Sequence, residues 1–434
     1  MSQLEIREVE FSKIIFDADI YPRKSHNPLT VQRYAACLDQ IEERRNFIVV
    51  SANMKLLDGR HRHLAYQKNF GSEYNGVINV YVRDDVTTLA QEFSASAELN
   101  SEHGDQLSQE DKRAVVIRLY SKFGYSVADA AATVKVRKDT ALEWTKGVRE
   151  EEDRILTEKI FDMWMQCYSQ DDISERLAIP QQTTNRKIDT FTQKVPGNLL
   201  GKSHENDQDF APPLFNIWTF SRKTNGVSHF GNSEQRIVDN LLYLYTEPFD
   251  IVVDPFAGGG STIDVCKRRL RRYYVSDRKP IVERESEIRK HDLAVDGLPP
   301  LHNRWSDVTL TYLDPPYWRQ AAGQYSDDPT DLANMPLELF TKTLADIVKG
   351  VSRKQSKGVI ALLIQPTQWS ADNKQFTDHV NDLVTEVGNK RLVLENRVSC
   401  PYSTEQYNAQ QVEYAKANKK LLVLTRELII WRIV

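Results

Sequence analysis

The chain has few cysteines and lacks long apolar runs, and these absences exclude several classes of protein. Its four cysteines, spread over 434 residues, are Cys37, Cys167, Cys266 and Cys400. Cysteines this far apart do not form the Cys-x-x-Cys pairs of a zinc ribbon, and they argue against a disulfide scaffold. No segment approaches the roughly 18 apolar residues of a membrane helix, and the first residues lack a signal-peptide pattern. We therefore expect a cytoplasmic protein without a membrane partner.

An excess of charge of one sign is also absent. Lys and Arg total 57 and Asp and Glu total 61, which gives a formal charge of −4. A nucleic-acid site in such a chain has to be a local basic patch rather than a property of the whole surface. The length predicts two or three domains.

Four segments differ in pattern. Residues 1–105 alternate short β-branched runs with turns, which predicts a small α/β domain. Residues 106–194 have apolar residues at helical spacing. Residues 195–212 are rich in Gly, Pro, Asn and Asp without periodicity and predict a linker. In residues 213–434, apolar strands alternate with helical stretches, which predicts a parallel α/β sheet.

Two segments of the helical region resemble helix-turn-helix units. Residues 125–144 and 168–188 each contain two helical stretches around a short break. Such units read the major groove of DNA, although helical pairs also occur as plain structural elements. Duplex DNA is the expected partner, because the major groove of A-form RNA does not admit a helix.

A glycine-rich turn follows an apolar strand in residues 249–262, whose sequence is FDIVVDPFAGGGST. Glycines at the end of a parallel strand let the backbone approach a ligand closely. A second predicted strand ends at Asp277, about 20 residues after Asp254, a spacing that suits a carboxylate binding ribose hydroxyls. The turn lacks the glycine patterns of dinucleotide and phosphate loops, so a plain strand-to-helix turn stays an alternative.

A second strand-end motif, Asp-Pro-Pro-Tyr-Trp, occupies residues 314–318. Its prolines fix the backbone and remove two N–H donors. Carbonyl oxygens and the Asp314 carboxylate then accept hydrogen bonds from an amino group, and Tyr317 offers a flat face for a base.

Together the two motifs resemble those of the S-adenosylmethionine-dependent amino-methyltransferases of DNA, which modify adenine-N6 or cytosine-N4. The resemblance covers residues 213–434 and implies a Rossmann-like methyltransferase sheet there. The expected fold class is therefore α/β, with this sheet preceded by a small α/β domain and a helical region.

The resemblance implies a binding site for S-adenosylmethionine. Its implied residues are Asp254, Pro255, Phe256, Ala257, Gly258, Gly260, Asp277, Asp292 and Phe230. Asp277 is implied to hold the ribose hydroxyls and Asp292 the adenine amino group. Phe230 belongs to residues 228–232, which occupy the position of the segment that closes the cofactor pocket.

The implied catalytic residues are Asp314, Pro315, Pro316 and Tyr317. An exocyclic amine is a poor nucleophile because its lone pair is delocalised into the ring. Hydrogen bonds to the Asp314 carboxylate and the Pro315 carbonyl would direct that lone pair at the sulfonium methyl, a transfer that depends mainly on positioning. The base has to be flipped out first, with Tyr317 and Trp318 as stacking platforms. No metal is required.

The residue that leads the catalytic motif bears on the target base. In this family a leading Asp goes mostly with adenine-N6 and a leading Ser mostly with cytosine-N4. The sequence therefore favours adenine-N6, with cytosine-N4 or RNA methylation as alternatives.

The N-terminal segment contains a third motif, Leu-Leu-Asp-Gly-Arg-His-Arg-His at residues 56–63. It resembles the signature of ParB-like domains of chromosome-partition proteins, and Arg23 and Asn100 stand at further nucleotide-contacting positions. The resemblance covers residues 5–145. It implies CTP as a ligand and leaves a homodimer open as the assembly.

This third motif departs from the Gly-Glu-Arg-Arg of the partition proteins. Arg60 and Arg62 therefore have DNA phosphates as an alternative ligand, or else are solvated side chains of a turn. His61 and His63 lack a third ligand nearby, so no metal site is expected.

Two further patterns concern the C-terminal segment. Residues 267–272, KRRLRR, are typical of a solvated helix face, with phosphate contact as an alternative. Residues 420–424 and 428–434 are predicted to form the hairpin that ends such sheets.

A non-enzymatic alternative is a ParB-like DNA-binding protein whose methyltransferase domain is inactive. The intact Asp-Pro-Pro-Tyr and the intact glycine turn favour the enzyme.

Overall fold

The computed structural model describes residues 5–102, 107–198, 204, 210–220, 234–301, 304–319, 327–368, 376–388, 390–401 and 407–434. The chain forms two compact units, Met1–Leu156 and Thr157–Val434, called unit 1 and unit 2 below. The finer division into four sequence segments stays a prediction. No helix in the described part of the chain is long and apolar enough to cross a membrane.

Unit 1 begins with a four-stranded mixed sheet in the order β1-β4-β2-β3. Its strands are β1 (Glu5–Glu10), β2 (Ile48–Ser51), β3 (Leu56–Asp58) and β4 (Val77–Arg83). In β4 alternate residues are buried, as expected for a strand with one face on the core. The helices packed with this sheet are α1 (Pro28–Ala35), α2 (Asp39–Glu43), α3 (Arg60–Phe70) and α4 (Leu89–Glu102).

The helices that follow begin at serine caps. In α5 (Gln109–Phe123) and α6 (Val127–Thr133), Ser108 and Ser126 each accept the backbone N–H of the aspartate three residues on. A turn then leads into α7 (Lys138–Met165). The predicted helix pair of residues 125–144 is confirmed as the pair α6–α7.

Unit 2 contains the second predicted helix pair, α8 (Gln170–Leu177) and α9 (Gln181–Asn198). A capping box between Ser169 and Asp172 starts α8. Residues 195–198 of the predicted linker continue α9, and most of its remainder lies outside the described residues.

In the described part of unit 2, seven strands form one sheet in the order β12-β13-β9-β8-β5-β6-β7. The strands are β5 (Ile251–Asp254), β6 (Arg272–Asp277), β7 (Arg289–Lys290), β8 (Val308–Leu313), β9 (Val359–Ile364), β12 (Leu392–Ser399) and β13 (Glu427–Ile433). Neighbouring strands from β7 to β9 run parallel, and β13 is antiparallel to both of its neighbours. A separate antiparallel pair consists of β10 (Thr367–Gln368) and β11 (Phe376–Thr377). The expected α/β class and Rossmann-like sheet are confirmed.

Further helices in the described part of unit 2 include those that pack on this sheet and complete its core. They are α10 (Gln235–Tyr245), α11 (Ser261–Arg268), α12 (Leu293–Asp296), α13 (Leu337–Lys354), α14 (Val380–Val387) and α15 (Ala409–Ala417). Strands β8 and β9 are buried at every position, as expected for central strands covered on both faces.

The predicted hairpin is wrong in one strand. Residues 428–434 fall in and directly after β13, but residues 420–424 form no strand. The partner of β13 is instead β12, which pairs from Leu392↔Ile433 to Ser399↔Glu427. The run at 420–424 begins with Lys420, Leu421 is 88% exposed, and none of its residues is buried, so this segment has no buried face to pack in a sheet.

Candidate active site

Three carboxylates lie side by side at the carboxyl-terminal ends of central strands in the unit 2 sheet. Asp254 ends β5, Asp277 ends β6, and Asp314 directly follows β8. These three strands are adjacent and parallel, so their carboxyl ends meet at one side of the sheet. We call Asp254, Asp277 and Asp314 the acidic edge.

Asp254 is the buried member of the acidic edge. It is only 2% exposed, and burial, joined by the negative charges of Asp314 and Asp277, raises its pKa to about 7. Its carboxylate accepts the backbone N–H of Phe256 at 2.9 Å and the hydroxyl of Thr262 at 2.5 Å. Asp254 therefore holds the start of the glycine turn to the start of α11.

Asp277 holds the other side of the same turn. Its carboxylate accepts the backbone N–H groups of Gly258 and Lys279, each at 2.9 Å. The side chain is half-buried. A carboxylate at this position can exchange backbone partners for the hydroxyls of a ligand.

Gly260 has a backbone conformation that requires glycine. Its φ is +80°, and a Cβ there would lie 2.8 Å from Cδ of Arg284. Arg284 donates to the Gly260 carbonyl at 3.2 Å and to Asp264 at 2.6 Å. The turn is thus closed by a side chain that lies 24 residues further along the chain.

The motif after β8 forms the remaining part of the site. Pro315 is buried, and Asp314, Pro316 and Tyr317 are half-buried. The hydroxyl of Tyr317 lies 3.2 Å from Oδ1 of Asp314, and that of Tyr312 lies 3.4 Å from Oδ2. Both carboxylate oxygens of Asp314 are therefore oriented by tyrosine hydroxyls.

Trp318 does not offer a stacking face, in contrast to the expectation from sequence. Its side chain is 6% exposed and belongs to the core of unit 2. The indole N–H donates to the Met335 carbonyl at 2.9 Å, and the Trp318 carbonyl accepts the Thr367 hydroxyl at 2.8 Å. Trp318 anchors the Asp-Pro-Pro-Tyr segment from inside the protein.

Asp292 lies next to the acidic edge but already has partners. Its Oδ1 caps α12 by accepting the N–H groups of Ala294 and Val295. Its Oδ2 pairs with Nε of Arg278 at 3.0 Å. The implied contact of Asp292 with an adenine amino group stays a prediction.

The other implied cofactor residues are distributed along the turn. Pro255 and Ala257 are buried, whereas Phe256 and Gly258 are half-buried. The N–H of Ala257 donates to the Ser276 carbonyl at 3.0 Å, which ties the turn to β6. Phe230 lies outside the described residues.

In unit 1, Arg62 is a structural residue, which corrects the expectation of a phosphate contact. It is 8% exposed. Its guanidinium donates to the carbonyls of Asn46 and Phe47 at 2.8 and 2.7 Å, and to the Asp58 carboxylate at 2.6 Å. These bonds fix α3 to the loop before β2 and leave no face for a phosphate.

Arg60 is half-buried and lies with its guanidinium carbon 3.5 Å from the ring centroid of Phe16. His63 beside it is buried, and burial together with the Arg60 charge lowers the pKa of His63 to about 4. Nε of Arg23 donates to Asn100 at 3.3 Å, and Asn100 donates to the Leu57 carbonyl at 3.2 Å. The three predicted nucleotide-contacting segments of unit 1 therefore meet in space.

The basic run of residues 267–272 is neither solvated throughout nor aimed at a ligand. Arg269 is buried and binds the Asp239 carboxylate at 2.7 and 2.8 Å. Arg271 and Arg272 are buried too, and donate to the carbonyls of Thr246 and Trp164. Both sequence-based interpretations fail for these three residues because the strand and turn after α11 carry them into the core.

Three side chains of the site were missed from the sequence. They are Thr262, Tyr312 and Arg284, which touch Asp254, Asp314 and Gly260. The signal for Thr262 was available, since it sits in the first turn of the helix after the glycines. The described residues contain no group of His, Cys, Asp and Glu suited to a metal ion.

Comparison with known proteins finds a family model that matches part of the chain. Residues 106–286 match the family model described as DNA methylase. The matched range contains the glycine turn and Asp277 and ends before Asp314. This part of the chain is thus similar to the DNA methylase family. No curated protein matches the chain.

Several solved structures resemble parts of the chain at low identity. The chromosome-partitioning protein ParB from Caulobacter crescentus, complexed to the centromeric parS site, is 16% identical over 32% of this chain and 69% of its own, with a TM-score of 0.24. An rRNA methylase from Streptococcus thermophilus is 13% identical over 46% of this chain and 96% of its own, with a TM-score of 0.28. An S-adenosylmethionine-dependent methyltransferase from Archaeoglobus fulgidus is 12% identical over 46% and 94%, with a TM-score of 0.27.

Proposed function

We propose that this chain, part of which matches the DNA methylase family model, transfers a methyl group from S-adenosylmethionine to the N6 amino group of adenine in duplex DNA. The observation that carries the proposal is the acidic edge. It joins the glycine turn of Asp254 to the Asp-Pro-Pro-Tyr motif of Asp314 at the carboxyl ends of adjacent strands.

The residues of the acidic edge fit S-adenosylmethionine as a cofactor. Asp277 is a carboxylate suited to a ribose diol, and the Gly258–Gly260 turn brings backbone close to a ligand. Three carboxylates side by side favour a nearby cation, and the cofactor carries a sulfonium charge. Bound there, it supplies an electrophilic methyl group.

The catalytic work of the chain is positioning. The Asp314 carboxylate and the Pro315 carbonyl accept the two N–H groups of the target amine, which turns its lone pair out of the ring plane. Since both Asp314 oxygens already contact tyrosine hydroxyls, the carboxylate is oriented before the base arrives. Tyr317 stacks on the flipped base, and the two prolines keep the motif rigid.

Adenine is the proposed base because an Asp leads the catalytic motif. Cytosine-N4 is the second candidate, since the same hydrogen bonds serve either amine. The helix pairs α6–α7 and α8–α9 support duplex DNA as the partner.

A nucleotide ligand of unit 1 is a separate proposal. Arg23, Asn100 and the strand before Asp58 converge, which supports a nucleotide such as CTP. Binding of labelled CTP to the full chain, lost on Arg23→Gln, tests it.

The first experiment measures transfer of labelled methyl from S-adenosylmethionine to unmethylated genomic DNA, followed by digestion to nucleosides. We expect the label in N6-methyladenine. Label in N4-methylcytosine would correct the base alone. The absence of label, with cofactor binding verified, would overturn the proposal and favour the DNA-binding protein with an inactive methyltransferase domain.

A further inference from the structure

A basic cavity lies in unit 2 between the start of the helix pair α8–α9 and the β6–β7 edge of the sheet. Its volume is about 610 Å³, a size typical of ligand sites. The charged residues that line it are Arg176, Arg278, Lys279, Arg289, Lys290 and Glu285. Five cations thus face one carboxylate, and such an excess is stabilised by a bound anion.

Two of these arginines are held by tyrosine rings. The guanidinium carbon of Arg289 lies 3.9 Å from the ring centroid of Tyr274 and 4.9 Å from that of Tyr168. Arg176 lies 4.6 Å from the Tyr168 ring, and Arg289 also donates to the Gln166 carbonyl at 2.9 Å. Cation–π contacts orient a guanidinium without neutralising it, so the positive charge remains available to a ligand.

The cavity differs in this respect from the basic run of residues 267–272. There Lys267 pairs with Glu287, and Arg268 and Arg269 pair with Asp239. The run is largely neutralised by carboxylates of its own unit.

Three cations of the cavity lack such partners among the described residues. Among the described residues no carboxylate forms an ion pair with Arg176, Lys279 or Lys290. Arg278 pairs with Asp292 and Asp328, yet its Nη1 is buried without a hydrogen-bond acceptor in the described part of the chain. The cavity therefore provides positive charge for an anionic oxygen.

We propose that this cavity binds backbone phosphates of the substrate DNA, an inference that rests on the proposed function. Arg176, Lys279 and Lys290 are exposed and belong to separate elements, α8, the loop after β6, and β7. A row of phosphates fits cations spread over several elements better than a single small anion does. Arg176 also belongs to the helix pair expected to meet DNA. Free phosphate is the other source of the same chemistry.

The test uses the full chain and compares two double variants that lose the same charge. Arg176→Gln with Lys290→Gln removes two cavity cations, and Arg353→Gln with Lys354→Gln removes two exposed cations at the end of α13. Binding of a fluorescent DNA duplex is measured without cofactor at several salt concentrations. The slope of log affinity against log salt should become shallower by about 1 to 2 for the cavity variant. The α13 variant should keep the wild-type slope.

The single variant Lys290→Gln should show about half of the slope change of the double variant. A change in this proportion indicates that each cation contributes directly to DNA binding. An unchanged slope in the folded cavity variants would overturn the proposal. Weaker binding of inorganic phosphate together with an unchanged DNA slope would do so as well, because it identifies a free anion as the ligand. Since DNA binding is measured without methyl transfer, failure of this proposal is distinguishable from failure of the proposed function.

Discussion

The acidic edge of unit 2 and the arginine motif of unit 1, residues 58–63, place their polar side chains in opposite ways. In the acidic edge, Asp277 and Asp314 remain half-buried and reach the end of the sheet. In the arginine motif, Arg62 and His63 are buried and bind or pack within their own unit. The first region leaves polar groups partly exposed at the end of its strands, and the second uses them to hold its own fold.

The difference follows from where the residues stand in their elements. A residue at the carboxyl end of a parallel strand lies where all the parallel strands end, whichever position that strand has in the sheet. A residue in the first turns of a helix faces inward or outward according to what packs against it. Arg62 lies in α3 opposite the loop that ends at Phe47, and that loop receives its guanidinium. Mutation should therefore affect activity in one region and stability in the other.

The largest expected effect is that of Asp314→Ala. Removing the carboxylate that receives the target amine should lower kcat/KM for methyl transfer by about 10³-fold. Cofactor affinity should change by no more than about threefold. Asp346→Ala, which removes an exposed carboxylate of α13, is the matched control. Methyl transfer retained by the Asp314 variant would show that the acidic edge does not carry the activity.

The second effect concerns stability. Arg62→Gln should destabilise unit 1 by about 3–5 kcal/mol, because it leaves the Asp58 carboxylate and two carbonyls without their partner. Hydrogen exchange of β2 and β3 measures the loss. Arg60→Gln, beside it, should cost about 1 kcal/mol through its contact with Phe16. If the Arg62 variant kept its protection and instead weakened DNA binding, Arg62 would be a phosphate contact after all.

The third prediction concerns how Asp254, the buried member of the acidic edge, makes stability depend on pH. The pKa of Asp254 is raised to about 7 from 3.8, so the unfolded chain loses this proton first. Its contribution to stability is full at low pH and is lost as the pH rises through about 7. Relative to Asp254→Asn, the wild type should lose up to about 1.4 kcal/mol per pH unit between roughly pH 4 and 7.

Denaturant unfolding of both proteins across this range provides the measurement, with Asp346→Asn as the exposed control. Parallel stability curves for the wild type and Asp254→Asn would contradict the raised pKa.

The opposite pH dependence of stability is expected for His63, whose pKa is lowered to about 4. Its contribution is present above the ordinary value near 6.5 and is lost as the pH falls toward 4.

The smallest expected effect is that of Tyr312→Phe. The hydroxyl of Tyr312 lies 3.4 Å from Asp314 and acts through that carboxylate, so it is a positioning residue. Its loss should lower kcat about 3-fold and leave KM unchanged, since a weak hydrogen bond is removed. Tyr273→Phe, which removes a buried hydroxyl bound to Glu287, should leave both constants unchanged. A rise in KM would point to a role in binding instead.

The strands of the acidic edge could be predicted from the sequence, because apolar runs that end in Asp mark both the element and its last residue. Both helix pairs could be predicted as well, since a serine followed three residues later by an aspartate caps α6 and α8. These signals are local and do not depend on the rest of the fold.

The inward orientation of Trp318, Arg62 and Arg269 could not be predicted in this way. Each of these side chains has a type that also occurs at nucleic-acid interfaces. Their orientation depends on partners far away in the chain, such as Phe47 for Arg62 and Asp239 for Arg269. The basic cavity could not be predicted from the sequence for the same reason, because its cations come from α8, the loop after β6, and β7.

The place of β13 in the sheet has a consequence for synthesis of the protein. This strand lies between β9 and β12 and pairs with both, yet it follows all other strands in chain order. A nascent chain therefore carries β5, β6 and β8, with the whole acidic edge, before the strand that covers β9 has been made. Until then β9, an unbroken apolar run from Val359 to Ile364, has an open hydrogen-bonding edge, which is a template for aggregation. A chain that ends before residue 427 should thus have the residues of the site but need a chaperone to stay soluble.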